Sequence, residues 1–150
     1  VELGLKDFIK KEVARLKRKH KTNNPFDIAE GEKIIVIREP LGSIHGYYNK
    51  YARQKFIHVN SDLDEINQYI TCGHELGHAR LHPNSNTPCF RANTFYSIRK
   101  LERQANRFDA ELLIDERLID EFCLYHYSLE QLAAFYNVPI ELVQIKFNPL

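Results

Sequence analysis

His74-Glu75-Leu76-Gly77-His78 reads H-E-x-x-H within a stretch of otherwise helical character. On a helix, residues four apart project from one face a single turn apart, so both rings can reach one metal ion. The glutamate beside the first histidine lies close enough to handle a proton on metal-bound water. This is the spacing used by zinc hydrolases. The plainer alternative is a helix with two solvated histidines and a surface glutamate. The rest of the chain decides between the two.

Working outward, Asp62 and Glu65 have capping-box spacing, so the motif helix is expected to start near Asp62. It runs to about His82, where Pro83 stops it. Upstream are three β-rich runs, Lys33 to Arg38, His45 to Tyr51 and Lys55 to Asn60, separated by Gly, Pro and polar breaks. They predict a small three-stranded antiparallel meander. Before them, Leu5, Phe8, Ile9, Val13 and Leu16 mark an amphipathic helix, and Asn24-Pro25 caps and opens a short helix through Ala29. Downstream, residues 83–96 read as a loop. Ile98, Leu101, Ala105, Phe108 and Leu112 then mark a helix with one apolar face. Ser128 to Gln131 is a capping box, Asn137 closes that helix and Pro139 opens the last one. The class is therefore α+β: a small sheet against an active-site helix, followed by a mainly helical C-terminal half. No linker or repeat interrupts the 150 residues, which are expected to form a single domain.

Composition narrows the function. The net charge of +1 argues against general binding to nucleic acid or anionic membranes, and no apolar run is long enough to span a bilayer. Val1 to Lys11 is amphipathic and charged rather than signal-like. The sequence contains no Met, so the initiator is expected to have been removed or the chain trimmed. Cys72, Cys89 and Cys123 are widely spaced and odd in number, which fits a reducing cytoplasm better than a disulfide framework. No Cys pair has zinc-ribbon spacing, so a metal site must use His and carboxylate. Residues 1–21 hold eight Lys/Arg against three Asp/Glu, read here as a solvated helix end whose cations suit the helix dipole.

A catalytic zinc takes three protein ligands and keeps one position for water. His74 and His78 supply two. His82 is tempting, but eight residues along a straight helix span about 12 Å, too far for one ion. A metzincin would need His at position 84, which is Asn84. The third ligand should come from the next helix. Glu102 sits beside its apolar stripe, and small Ala105 would allow close approach to the motif helix. Asn106, one turn on, could orient a ligand. Asp109 is the competing carboxylate on that side, and for either one a surface salt bridge to Arg99 or Arg103 is the alternative.

The string His74-Glu75-Leu76-Gly77-His78-Ala79, His82-Pro83, then Glu102-x-x-Ala105-Asn106-x-Phe108-x-Ala110-x-Leu112-Leu113, resembles the ImmA/IrrE family of metallopeptidases. Similar too are Asn24 to Ala29, Leu41-Gly42-Ser43, Gly46-Tyr47-Tyr48, Ile57-x-x-Asn60-Ser61, and the tail from Leu132-Ala133 through Val138-Pro139 to Leu142-Val143. The likeness covers nearly the whole chain, particularly to phage and mobile-element members. It implies a zincin-like, gluzincin-type fold, zinc held by His74, His78 and Glu102, and Glu75 as catalytic base. It further implies a cytoplasmic endopeptidase that cleaves a helix-turn-helix repressor and derepresses a prophage or mobile element. An extended peptide would add to an exposed sheet edge, expected at Lys55 to Asn60. Two residues depart from the pattern. Asp109 stands where Ala is frequent, and Asp115 where Pro is frequent.

Two rival readings fit parts of the sequence. Ser128 to Phe147 has the rhythm of a helix-turn-helix, which would make the chain a DNA-binding regulator. Yet its second helix offers only Gln144, Lys146 and Asn148 to DNA. Residues 116–150 carry two Lys/Arg against five Asp/Glu, so phosphate repulsion opposes direct binding. The other rival is a metal-binding protein that sequesters a repressor without cutting it. Tyr125, His126 and Tyr127 form the nearest suggestive cluster for an oxyanion donor, but nothing ties them to the site. They are expected to serve in packing or at the surface.

Overall fold

The computed structural model describes residues 2–87 and 95–147. The expectations for Cys89, for the loop over 88–94 and for Asn148 lie outside them. Helix α1 (Glu2–His20) buries Ile9, Val13 and Leu16 at helical spacing and ends on Lys17, Arg18, Lys19 and His20. Helix α2 (Pro25–Gly31) starts where expected: the Asn24 side chain accepts the Phe26 amide hydrogen at 2.9 Å, and Pro25 occupies the first turn.

Three strands follow, β1 (Ile35–Glu39), β2 (Gly46–Tyr51) and β3 (Gln54–Asn60), in the spatial order β1-β3-β2. The sheet is mixed, which corrects the antiparallel meander. β2 pairs antiparallel with β3, but β1 pairs parallel with it, Ile35 opposite Phe56 and Glu39 opposite Asn60. The cause is the connection over residues 40–45, which steps across the end of β3 and is held there by Asn60. The Asn60 side chain accepts from Leu41 N at 3.3 Å and donates to Gly42 O at 3.1 Å and Ile44 O at 2.9 Å. Its own N–H donates to His45 O, while Ser61 N donates to Glu39 O. The end of β1 and the start of β2 are thus tied to opposite sides of one strand. β3 carries buried Ile57 and Val59 and takes the centre. Both of its edges are paired, so the expected docking edge at Lys55 to Asn60 does not exist. The open edge on that side belongs to β2. There Tyr48 N donates to Thr87 Oγ1 at 2.8 Å and Lys50 N donates to Asn86 Oδ1 at 2.9 Å. The β2–β3 hairpin turns through Ala52 and Arg53, both at positive φ as a primed two-residue turn requires.

Helix α3 (Glu65–Leu81) carries the H-E-x-x-H segment. Its cap is Asp64, whose carboxylate accepts from Asn67 N at 2.8 Å, rather than Asp62. Asp62 instead donates its N–H to Asn60 Oδ1, which keeps it in the turn after β3. Nearly every residue from Thr71 to Ala79 is buried, because the sheet covers one side of α3 and α4 (Phe95–Leu113) the other. The two helices cross closely at Gly77, where a Cβ would lie 3.1 Å from Ala105 O and from Phe108 Cβ. Small Ala105 permits that approach, as its place in the sequence implied.

A 3-10 turn (Glu116–Leu118) leads to α5 (Glu121–His126), α6 (Leu129–Tyr136) and α7 (Ile140–Phe147). Both halves of the Ser128/Gln131 capping box form, and Asn137 ends α6 in the left-handed conformation at φ 55°. One apolar cluster joins α1, α2, the sheet, α3 and α4, including Ile9, Leu16, Tyr48, Ile57, Leu76 and Phe108. A second packs α6 and α7 against the end of α4 through Ala110, Ile114, Leu132, Leu142 and Val143. Among the described residues no helix is long and apolar enough to cross a membrane.

Candidate metal centre

On α3, His74 and His78 stand one turn apart with ring centroids 4.9 Å apart and nearly perpendicular planes. Glu102, on the crossing helix α4, reaches both. His74 Nε2 lies 3.0 Å from Glu102 Oε2, and His78 Nε2 lies 2.8 Å from Glu102 Oε1. The ligand-capable atoms of the three residues all fall within 4.8 Å of one another, the one such group among the described residues. Two imidazole nitrogens and a carboxylate form a donor set that fits zinc with a position to spare. Asp109, the competing carboxylate, is not in this group. Its carboxyl points at the Gly73 backbone, where a Cβ would overlap Oδ1.

The surroundings orient the two rings differently. His74 Nδ1 lies 2.8 Å from Asn106 Oδ1, the contact expected of Asn106. His78 Nδ1 lies 3.0 Å from His82 Nδ1, and His82 Nε2 lies 2.6 Å from Gln104 Oε1. Both His82 ring nitrogens are thus engaged by His78 and Gln104, and His82 is not part of the three-residue group. This agrees with the geometric objection to it as a ligand. Gln104 was missed from sequence. Its contact depends on where α4 crosses the end of α3, which no spacing along one helix reveals.

Burial and charge set the protonation pattern. Burial alone would raise Glu102, but its hydrogen bonds with His74 and His78 outweigh this and hold it well below the usual carboxylate range. Burial alone would lower His74; the Glu102 hydrogen bond, then the charges of Glu75, Glu102 and Asp109, lift it to about 9. His78 is lowered, chiefly by burial. Glu75 is 5% exposed, and burial pushes it up to about 7. Among the described residues its Oε2 has no hydrogen-bond partner, and neither does Asp109 Oδ1, whose complete burial raises that carboxyl well above its ordinary value.

His74, Glu75, Glu102 and Asp109 line a cleft of about 370 Å³ that opens between α3, the start of β2, α4 and α7. Its walls include His45, Gly46, Thr71, Asn106, Leu142 and Ile145. Gly46 is pressed against the motif helix: a Cβ there would sit 2.6 Å from Thr71 Cγ2 and 3.7 Å from Glu75 Cγ. His45 and the face of α7 were not legible as cleft residues, because the loop carrying His45 is placed only by the Asn60 clamp. Tyr125, His126 and Tyr127 lie at and just beyond α5, on the surface and away from the cleft.

Residues 29–148 match the family model described as the IrrE N-terminal-like domain, a peptidase family. The chain is 39% identical over 139 residues to "Uncharacterized immunity region protein 2" of Bacillus phage phi105, covering 92% of this chain and 88% of the relative. It is 33% identical over 148 residues to "Metallopeptidase ImmA" of Bacillus subtilis (strain 168), covering 95% and 85%. With a candidate His, His, Glu metal centre in a cleft and a match over most of its length, the chain belongs to the IrrE N-terminal-like domain family of metallopeptidases.

Proposed function

We propose that this chain is a zinc-dependent endopeptidase in which His74, His78 and Glu102 hold the metal and Glu75 is the general base. One observation carries the reading. Two histidine Nε2 atoms converge on both oxygens of Glu102 beside a buried glutamate whose Oε2 has no hydrogen-bond partner among the described residues. When bound, zinc supplies Lewis acidity toward the attacking water and the scissile carbonyl. Glu75 takes the proton of that water and later passes it to the leaving amine. Asn106 holds the His74 ring so that Nε2 faces the centre. His45 also lines the cleft, and in this reading it donates to the carbonyl oxygen. The substrate strand adds beside β2, near Gly46, because the β2 edge at Tyr48 and Lys50 is covered by Thr87 and Asn86.

The proposed substrate is a helix-turn-helix repressor of a prophage or mobile element, cut in the cytoplasm. The name of the phage relative, an immunity region protein, supports that setting. The DNA-binding alternative loses support from the packing of α7. Leu142 and Val143 are buried, Leu142 and Ile145 line the cleft, and the Lys146 ammonium is held by Glu111 at 2.6 Å.

The test is to incubate zinc-loaded wild type and Glu75→Gln with the helix-turn-helix repressors encoded in the same genome, reading cleavage by mass spectrometry. Wild type cuts one of them at a defined bond, and Glu75→Gln keeps its zinc but does not cut. Retained cleavage by Glu75→Gln sinks the mechanism. Binding without cleavage by the wild type moves the reading to a sequestering protein.

A further inference from the structure

The hydrogen-bonded chain His78–His82–Gln104 is used by none of the steps above, yet two of its members are buried beside the centre. His78 is fully buried and His82 is 8% exposed, so water is poorly placed to replace either partner. His82 ends α3: its backbone N–H still donates to His78 O at 2.7 Å, but its φ of −132° leaves the helix. That departure lets the two rings meet Nδ1 to Nδ1, with centroids 5.2 Å apart, although the residues are a full turn apart. The other His82 nitrogen meets the Gln104 side chain at 2.6 Å.

Resting on the metal site of the preceding section, we propose that His82 and Gln104 are positioning residues that fix His78 in the tautomer able to bind the metal. A neutral imidazole carries one N–H and one lone pair. The carbonyl oxygen of Gln104 can only accept, so His82 Nε2 is the protonated nitrogen and donates to it. His82 Nδ1 then holds a lone pair and accepts the His78 Nδ1–H. Once a metal replaces the hydrogen that His78 Nε2 shares with Glu102 Oε1 at 2.8 Å, this arrangement leaves the Nε2 lone pair free to bind it. Run in reverse, with the Gln104 amide nitrogen donating, every proton shifts along the chain. His78 Nε2 then carries hydrogen toward Glu102, where it competes with the metal. The orientation of one amide on α4 therefore governs whether an imidazole on α3 is ready to bind. His74 reaches the same tautomer through its direct contact with Asn106 Oδ1.

The experiment measures zinc affinity by competition with a chromophoric chelator, with nitrogen-15 imidazole spectra of the zinc-loaded wild type. His82→Leu and Gln104→Leu remove an acceptor, and zinc binding should weaken by about 10- to 100-fold, as for other groups that orient ligating histidines. Gln104→Glu has the same shape and can only accept, so it should bind zinc at least as tightly as wild type. A purely structural role for position 104 would not separate Glu from Leu in this way. The spectra should show His78 protonated at Nδ1 and His82 at Nε2. Wild-type affinity in both Leu variants, or a His82 protonated at Nδ1 rather than Nε2 in the zinc-loaded protein, overturns the proposal. The spectra need no variant, so they decide the matter even where a substitution prevents folding. If wild type takes up no zinc, or Glu102→Ala takes it up equally well, it is the metal site that fails rather than the relay alone.

Discussion

Replacing Gly73 by Ala is a demanding test of how α3 and α4 pack. A Cβ at Gly73 would overlap Asp109 Oδ1 and lie 3.1 Å from Asp109 Cγ, and Asp109 is 1% exposed. Two effects oppose each other. Ala is favoured over Gly in a helix interior by about 1 kcal/mol. Forcing a methyl into a filled interior costs about 1–3 kcal/mol. Gly73→Ala should therefore leave the metal-free protein between unchanged and about 2 kcal/mol less stable. Asp109→Ala removes the obstacle, so in that background the same change should stabilise by about 1 kcal/mol. The predicted coupling between the two positions is about 1–3 kcal/mol. The assay is urea denaturation of the four proteins of the cycle at pH 7 with chelator present. Additivity within about 0.5 kcal/mol would refute the reasoning, since it would mean that the carboxyl does not occupy the space beside Gly73.

Other consequences follow from the same geometry. Asn60→Ala strands the groups that its amide serves at Leu41, Gly42, Ile44 and Asp62, and should cost about 2–4 kcal/mol, read as a lower denaturation midpoint. The amides of residues 41 and 62 should also exchange faster. Glu32 accepts from Lys19 at 2.7 Å and Arg80 at 3.0 Å and pairs with His20 at 2.8 Å. Burial alone would raise its carboxyl, but the Lys19 and His20 hydrogen bonds and the Arg80 charge hold it at about 2, below its ordinary 4.5. A carboxyl lowered on folding stabilises above its unfolded value, and that gain disappears as pH falls through the folded one. Glu32→Gln should thus cost about 1–2 kcal/mol at pH 7, a modest figure because Lys19 is half exposed, with the difference vanishing between pH 4.5 and pH 2 in acid denaturation curves. His45→Ala should lower the peptidase turnover number while leaving zinc affinity unchanged, measured with the cleaved repressor. Equal turnover would remove His45 from the cleft chemistry.

What the sequence made legible was local or periodic. The four-residue spacing of His74 and His78, the Asn24-Pro25 start of α2, the Ser128/Gln131 box and the small Ala105 at a helix crossing each act within a turn or two. They appear in the fold where the reading put them. The sheet order was not legible, because it depends on Asn60 clamping a loop from 16 to 19 residues away in the chain. The α3 cap was displaced by two residues for the same reason. Asp62 and Asp64 are equivalent by composition, and only the hydrogen bond from Asp62 N to Asn60 separates them. For the third carboxylate, spacing left Glu102 and Asp109 both in play. The crossing of α3 and α4 separates them, with Glu102 reaching both histidines and Asp109 turned to Gly73. Gln104 and His45 join the site by packing alone.

The most direct test of the central claim is zinc content per chain by elemental analysis, on protein purified without a His tag or chelator. The account predicts about one zinc per chain in wild type and in Glu75→Gln, and none in Glu102→Ala. A wild type that holds no zinc even after it is added back, or a Glu102→Ala variant that retains a full complement, would contradict it.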